Sequence, residues 1–581
     1  MYLERIDNNV IWLGLATFAC SMLFVWQGLD FSDMGYWLTS YQQFYMLNEG
    51  IPSCWLTTFI GHWVGVVLGG SVLAYRLTSV VIVTLQAIIA YHLLASQLGR
   101  SHILAAMVLL TVFFTRGWGG NLVEYNSLTA LFYLAGAALL FYGLVGNRKL
   151  LVVLAGVLLG ANIFVRFPNV LGITLMSAVW LYAWANLWTW RKVLVESAWF
   201  LSGFVLGVAL IWGLIVLNGH EAIYLQGIQE IFGMAQNSKS HHSGSGLLKL
   251  FISDHVRAFA EALFIIIILG WIASWCCKQK NHLLFVVVLA VASLLVYFFY
   301  IRNHWRTSVP GLCYSVLLLI VYLKSRKDPP LALLAFIAGF ILLLAPLGSN
   351  NGISNSVAGM MIALPLTLAW LWTNSDLSLS LWIKVNADGN DSSGQFSIDS
   401  KGFRVFAQTV ALALLIQSLL MAWRYTYCDS ENRFAMTYSI PHPLLVGQYT
   451  TKERAVVVAE LLDTLSHFAK PGDEVLAYNM IPTVHFLTET RPWLGNAWPD
   501  IEAPEKIAAQ LRQKELVGAR LPCIVRATFD TYSTSWPMAI HPPSTERGQG
   551  EIRDMFATFE QRHGYVVEWS NGFFEILTTA E

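Results

Sequence analysis

The chain has 581 residues, 56% hydrophobic and 12% charged, with a formal net charge of zero and a mean hydropathy of +0.55. Soluble domains carry roughly 25% charged residues, so this composition excludes an ordinary soluble protein and describes a polytopic membrane protein. The balanced charge offers no basic surface for nucleic acid, and the seven cysteines follow no CxxC or other metal-ligand spacing.

Residues Met1 to Asn9 lead into an apolar run over about Ile11 to Gly28, long enough to cross a bilayer. No small-residue cleavage site follows, so the run reads as an uncleaved signal anchor. Behind it stands Leu29-Asp30-Phe31-Ser32-Asp33-Met34-Gly35-Tyr36-Trp37-Leu38, two carboxylates and then an aromatic-rich stretch at the membrane edge. An ionisable residue at such a boundary is a functional candidate. A transferase acting on a hydroxyl or amine needs a carboxylate to take the proton as the acceptor attacks, and Asp33 is placed for that role. The structural alternative is a helix cap, with Ser32 or Asp33 opening a helix from Met34 to Asn48.

Length and hydropathy predict about thirteen spans, centred near residues 20, 88, 109, 136, 157, 178, 205, 268, 292, 317, 338, 364 and 413. Arg100, Arg148 with Lys149, Arg191 with Lys192, Lys278 with Lys280, and Lys324, Arg326 and Lys327 collect on alternate short loops. The positive-inside rule makes those loops cytoplasmic, which places the N-terminus inside and the C-terminal part outside. For a bacterial protein this means the inner membrane and the periplasm. A span at 57–74 would reverse every later loop, so that stretch is expected as an apolar loop along the outer interface. Residues 374–404, polar and cytoplasmic, are expected to be a disordered insert. Cys276-Cys277 sit at a membrane edge, facing lipid or palmitoylated rather than binding metal. No internal repeat is visible.

From about residue 424 the composition becomes that of a soluble domain. Helices are predicted over Lys452–Phe468, Pro504–Lys514 and Glu551–Arg562. Strands are predicted over Glu474–Tyr478, Cys523–Arg526, Tyr565–Trp569 and Phe573–Leu577. The alternation describes a small α/β domain over 424–581, on the same side as Asp33, as a lid, a substrate-binding cap or both. Tyr478 and Asn479 end a strand, where α/β folds place ligand contacts, and are expected to face the membrane cavity. Cys428 and Cys523 both fall on the oxidising side, but nothing in the sequence pairs them.

Further polar groups gather on the outer side. Glu124-Tyr125-Asn126-Ser127 opens the fourth span. Loop 218–257 holds Ser240-His241-His242-Ser243-Gly244-Ser245-Gly246, then Lys249 and Arg257; cations and backbone N–H groups there suit a phosphate. The alternative is a flexible loop with incidental histidines, and no third ligand stands nearby to make the pair a metal site. Arg302-Asn303-His304-Trp305-Arg306 adds two cations. Gly348 to Asn355, including Asn350 and Asn351, suits sugar hydroxyls and equally a tight turn.

The acid after the first span, Ala74-Tyr75-Arg76-Leu77 before the second, Glu124 to Ser127, and Arg166-Phe167-Pro168-Asn169 together resemble the GT-C superfamily of membrane glycosyltransferases. That superfamily includes protein O-mannosyltransferases and the bacterial aminoarabinose transferase of lipid A. The resemblance covers most of the membrane part, 1–423. It implies a mainly α, polytopic transmembrane bundle, a polyprenyl-phosphate sugar as donor, and a catalytic Asp in the first outer loop. Asp33-Met34 stands where many members have Asp-Glu, so the second acid is missing or replaced by Asp30. This departure favours an inverting, single-base, metal-independent transfer of one sugar to a glycan, lipid or protein acceptor. Donor-phosphate candidates are Arg76, Arg166, His242, Lys249, Arg257, Arg302 and Arg306; any one of them is equally a snorkelling anchor. Sugar or acceptor candidates are Tyr36, Glu124, Asn126, Asn350, Asn351, Tyr478 and Asn479. Three rivals stand beside this reading. A flippase would need charged or broken helices near mid-bilayer and an inverted repeat. An O-antigen ligase or polymerase would lean on Arg and His residues of a large outer loop. A non-catalytic assembly factor would bind a partner through its C-terminal part.

Overall fold

The structure is a computed structural model that describes residues 8–46, 52–116, 120–236, 244–277, 282–298, 302, 305–349, 351–374, 379–387, 390–545 and 548–579. The chain opens with α1 (Asn8–Met22), then the short helices α2 (Asp33–Gln42) and α3 (Trp55–Leu68). The main bundle follows as α4 (Val72–Leu98), α5 (His102–Arg116), α6 (Tyr125–Val145), α7 (Lys149–Ala161), α8 (Ser177–Ala185) and α9 (Trp190–Leu217). It continues through α10 (Glu221–Gln236), α11 (Gly244–Cys277), α12 (His282–Val296), α13 (Trp305–Lys324), α14 (Pro329–Leu344), α15 (Val357–Thr373) and α16 (Ser400–Arg424). Each of the thirteen expected span centres lies inside one of these helices. Among the described residues, eight helical stretches are long and apolar enough on their own to cross a membrane. The chain is a multi-pass membrane protein.

Helix packing follows from small residues. Gly156 and Gly160 on α7 face Gly203 and Gly207 on α9, four residues apart on each helix. A Cβ at these glycines would come within 2.0–2.2 Å of a carbonyl on the facing helix. Lipid tails are as apolar as leucine, so close backbone approach between helices supplies the packing energy.

Two stretches differ from expectation. Most of the stretch 57–74, expected as a loop, lies in α3, because backbone polar groups at an apolar interface must bond within the segment. Fourteen residues rise only about 21 Å, short of the roughly 30 Å hydrocarbon core. The stretch expected to be disordered contains β1 (Leu379–Ala387) and β2 (Asn390–Ile398), an antiparallel pair.

The C-terminal part carries β3 (Tyr438–Ser439) and β4 (Tyr449–Thr450), which pair with each other. Its body is α17 (Lys452–Phe468), β5 (Glu474–Tyr478), α18 (Thr483–Thr488), β6 (Arg491–Pro492), α19 (Pro504–Leu516), β7 (Cys523–Ala527), α20 (Gln549–Arg562), β8 (Tyr565–Ser570) and β9 (Phe574–Thr579). The sheet order is β6-β5-β7-β9-β8, with β5 parallel to β6 and β7, and β9 antiparallel to β7 and β8. Its core reaches back to the start of the chain. Leu29, Phe31, Met34, Trp37 and Leu38 are buried in one cluster with Val475, Ile481, Val525, Phe529, Trp536 and Phe574. The ring of Phe31 lies 5.4 Å from that of Phe574 and 5.9 Å from that of Trp536. The α/β part and the segment carrying Asp30 and Asp33 therefore fold as one core rather than meeting as a body and a detachable lid.

Candidate active site

The segment after α1 is fastened at every step. Tyr449 N donates to Trp26 O at 2.8 Å and Gly28 N to Tyr449 O at 3.3 Å. The buried Arg76 guanidinium donates to the carbonyls of Val25 (3.1 Å), Gln27 (2.9 Å) and Gly28 (2.7 Å), and also to Gln448 Oε1. Arg76 thus grips backbone through both Nη groups and helps to fold the segment, while its buried Nε has no partner among the described residues. Leu29 N donates to Asp429 Oδ2 at 2.7 Å.

The two carboxylates then divide their work. Asp30 Oδ1 accepts from Ser32 N (2.8 Å) and Ser32 Oγ (2.6 Å), and Oδ2 from Met34 N (2.8 Å). It is Asp30, not Ser32 or Asp33, that satisfies the free N–H groups at the head of α2, where a negative charge also suits the helix dipole. The helix ends at Gln42, short of the expected Asn48. Asp33 lies in its first turn, mostly buried but not closed off. Among the described residues its side chain accepts one hydrogen bond, from the Tyr427 hydroxyl. Burial, and next the charge of Asp30, push the Asp33 carboxyl up to about 7, while the Tyr427 bond pulls it down. Burial also raises Asp30, against its hydrogen bonds. Glu124, at the head of α6, is pushed up to about 7 by burial and by the charge of Asp33, and Asn126 bonds its side chain. The three acids form one interacting group, with Asp33 the member whose oxygens are least committed.

The wall around Asp33 is aromatic. Tyr36 meets the Trp498 ring edge-on at 5.4 Å, and Trp37 lies 5.3 Å from Tyr125. Tyr125 is within electrostatic reach of Glu124, Arg166 and Asp33. The guanidinium of Arg166 sits 5.9 Å from the Tyr125 ring and donates to the carbonyls of Ala345 (2.8 Å) and Leu347 (3.2 Å). Its buried Nε has no partner among the described residues. Of the candidates read from the sequence, Asp30, Asp33, Tyr36, Glu124, Asn126 and Arg166 come together here.

Others do not join them. The stretch expected as an outer loop at 218–257 is largely α10 and the head of α11. Lys249 is exposed on α11, and Arg257, also exposed, pairs one turn on with Glu261 at 2.7 Å. Such a pair satisfies itself on the helix surface. Arg302 and Arg306 are exposed, Arg306 within electrostatic reach of Tyr425; Asn351 is exposed in a turn. His242 and Asn350 lie outside the described residues. Tyr478 and Asn479 do not face a membrane cavity. The Tyr478 hydroxyl, buried in the α/β core, donates to Glu560 at 2.7 Å. Asn479 N donates to Asp500 at 2.9 Å and its amide to Ala527 O at 2.6 Å. Cys428 and Cys523 are both free thiols. No group of three His, Cys, Asp or Glu side chains among the described residues is arranged to hold a metal ion.

Sequence reading missed Tyr427 and its neighbours. The run Tyr425-Thr426-Tyr427-Cys428-Asp429 directly after the last apolar segment carries the signal, since polar aromatics at a membrane exit on the same side as Asp33 are candidates for the same site.

No family model matches the chain, and no curated protein does. Among solved structures it is similar to the Archaeoglobus fulgidus oligosaccharyltransferase in complex with Zn and sulfate, at 12% identity and a TM-score of 0.45, over 90% of this chain and 68% of that one. It is also similar to ArnT from Cupriavidus metallidurans bound to undecaprenyl phosphate, at 12% identity and a TM-score of 0.42, over 98% of this chain and 97% of that one. The apo form of ArnT gives 13% identity and the same TM-score over 98% of both chains.

Proposed function

We propose that the protein is a membrane glycosyltransferase that moves one sugar from a polyprenyl-phosphate donor to an acceptor at the outer face of the membrane. Asp33 is its general base. The observation that carries this reading is the division between the two acids: Asp30 is consumed as a helix cap, while Asp33 accepts a single hydrogen bond among the described residues and burial pushes its carboxyl up to about 7. A general base works best when its pKa lies near the working pH. In the reaction Asp33 takes the proton from the acceptor hydroxyl or amine as that atom attacks the anomeric carbon. The bond to the phosphate breaks with inversion, and the polyprenyl phosphate leaves. Arg166 supplies positive charge near the departing phosphate, and Tyr36, Glu124 and Asn126 offer polar contacts for sugar or acceptor. The proposed transfer is metal-independent, with Asp33 as its single base.

The pH dependence tests the reading. Only the ionised form of a general base accepts a proton, so the rate should rise as pH climbs through about 7 and level off above it. One unit below the midpoint the rate should be about ten-fold lower. Transfer of a labelled hexose from a polyprenyl-phosphate donor, measured across this range with purified protein, checks it. A rate that does not change with pH would remove Asp33 from the chemistry.

A further inference from the structure

Resting on the reading above, we infer that Tyr427 is a positioning residue for Asp33 and that Arg454, buried in the C-terminal α/β part, fixes it there. The α/β part thereby helps to hold the site in shape instead of merely covering it. Tyr427 belongs to the turn between α16 and β3, and its hydroxyl is the hydrogen-bond donor that reaches the Asp33 carboxylate. A single turn leaving a membrane helix has little to hold it in place. Cys428, next in the chain, adopts a left-handed backbone with φ 51°, a conformation that costs a non-glycine residue energy and persists where surrounding contacts impose it.

Those contacts come from Arg454, in the first turn of α17. Its Nη1 donates to Asp429 Oδ1 at 2.8 Å and to Cys428 O at 3.4 Å. Its Nε donates to Trp536 O at 2.9 Å, and its Nη2 to the carbonyls of Ser533 (3.3 Å) and Thr534 (2.9 Å). Every guanidinium N–H is therefore used, and the cation lies 4.3 Å from the Trp536 ring. Asp429 also accepts from Thr450 Oγ1 at 2.9 Å and from Leu29 N at 2.7 Å. One fully buried ion pair thus ties three elements to one point: the turn carrying Tyr427, the loop at 533–536, and the segment leading to Asp33. A buried pair gains little net stability over apolar packing, because both charges lose their water. What this pair supplies is a defined geometry beside the acid.

Titratable groups face Asp33 from each element around it. Asp30 and Tyr36 come from its own segment, Glu124 and Tyr125 from the head of α6, Tyr427 and Cys428 from the turn, and Tyr532 from the loop. Of these, Tyr427 is the one whose hydrogen bond favours the ionised Asp33.

The test reads Asp33 directly, in the full-length protein, as the carboxylic C=O stretch in wild-type minus Asp33→Asn infrared difference spectra. The wild-type midpoint should lie at about 7. In Tyr427→Phe it should move up by about one pH unit, since a hydrogen bond to the charged form is lost. The rate profile for sugar transfer should shift with it, about five-fold slower at neutral pH and near wild type at high pH. Arg454→Lys keeps the charge but loses the carbonyl contacts, and should shift the midpoint the same way, with no further shift when combined with Tyr427→Phe. An unmoved midpoint in Tyr427→Phe, or a rate lowered equally at all pH values, overturns the positioning role. A further shift in the double variant overturns the assignment to Arg454. A midpoint that moves in a protein that transfers no sugar leaves the positioning intact and defeats the proposed reaction alone.

Discussion

Asp33→Asn is expected to lower sugar transfer by about 10²–10⁴-fold, the loss typical of a missing general base, while the protein becomes more heat-stable. The two effects share one cause. Burial holds the proton on Asp33 up to about pH 7, far above the usual 3.9 or so of a free aspartate. The folded protein then binds more protons than the unfolded chain between those values, so stability falls as pH rises through that window and stays low above it. An uncharged amide escapes this cost. The melting temperature of Asp33→Asn should therefore exceed that of wild type by a few degrees at pH 8 and approach it near pH 4. Asp30→Asn should differ in kind. It converts an acceptor of three hydrogen bonds into one that cannot receive them all, so it should lower the melting temperature. Asp33→Asn with near-normal transfer would move the base to Asp30 or Glu124.

Gly35→Ala carries the second large effect. A Cβ at Gly35 would stand 2.0 Å from Thr483 N and 2.2 Å from Thr483 Cα. That backbone cannot give way cheaply, because Thr483 N donates to Phe31 O at 3.0 Å and Thr483 Oγ1 to Asp30 O at 2.8 Å. One methyl group would thus push α2 away from the α/β part and tilt Asp33 out of line. Overpacking costs about 1–3 kcal/mol or more, and a displacement of about 1 Å at a reacting group costs on the order of 10²-fold in rate. The expected result is a lower melting temperature together with at least a ten-fold loss of transfer. Gly213→Ala is the control: nothing lies within 4 Å of a Cβ there, and both stability and activity should hold. A stable, fully active Gly35→Ala would mean that α2 and α18 are not packed as described.

What could be read from the sequence follows the range of the interactions. Spans are set by local hydropathy, and every expected centre lies in a helix. α17 and β5 occupy the expected residues, Lys452–Phe468 and Glu474–Tyr478, because caps, period and the Pro471-Gly472 turn are local too. α3 was obscured by the charge pattern of loops elsewhere, which bears on whether a stretch spans, not on whether it is helical. The β1–β2 hairpin was obscured by its polar composition. The Gly156/Gly160 and Gly203/Gly207 pairs were present in the sequence but become a contact only once α7 and α9 are known to face each other.

The site was legible in part for the same reason. Asp33 announced itself by its place at a membrane exit. That Asp30 is the cap and Asp33 the less committed acid depends on which N–H groups fold back on the carboxylates, a matter of one turn of backbone. Tyr427 meets Asp33 across 394 residues of sequence. Arg76 and Arg166 read alike in the sequence, and the backbone carbonyls that each of them holds become visible only in the fold.

The most direct test is a side-by-side assay of purified wild type, Asp33→Asn and Asp30→Asn with a radiolabelled polyprenyl-phosphate hexose, following both the labelled product and the freed polyprenyl phosphate. Wild type should release the two in equal amounts, and Asp33→Asn should release both about 10²–10⁴-fold more slowly despite being folded. Equal turnover by wild type and Asp33→Asn, or a wild type that leaves such donors intact whichever hydroxyl or amine acceptor is supplied, would contradict the role given to Asp33.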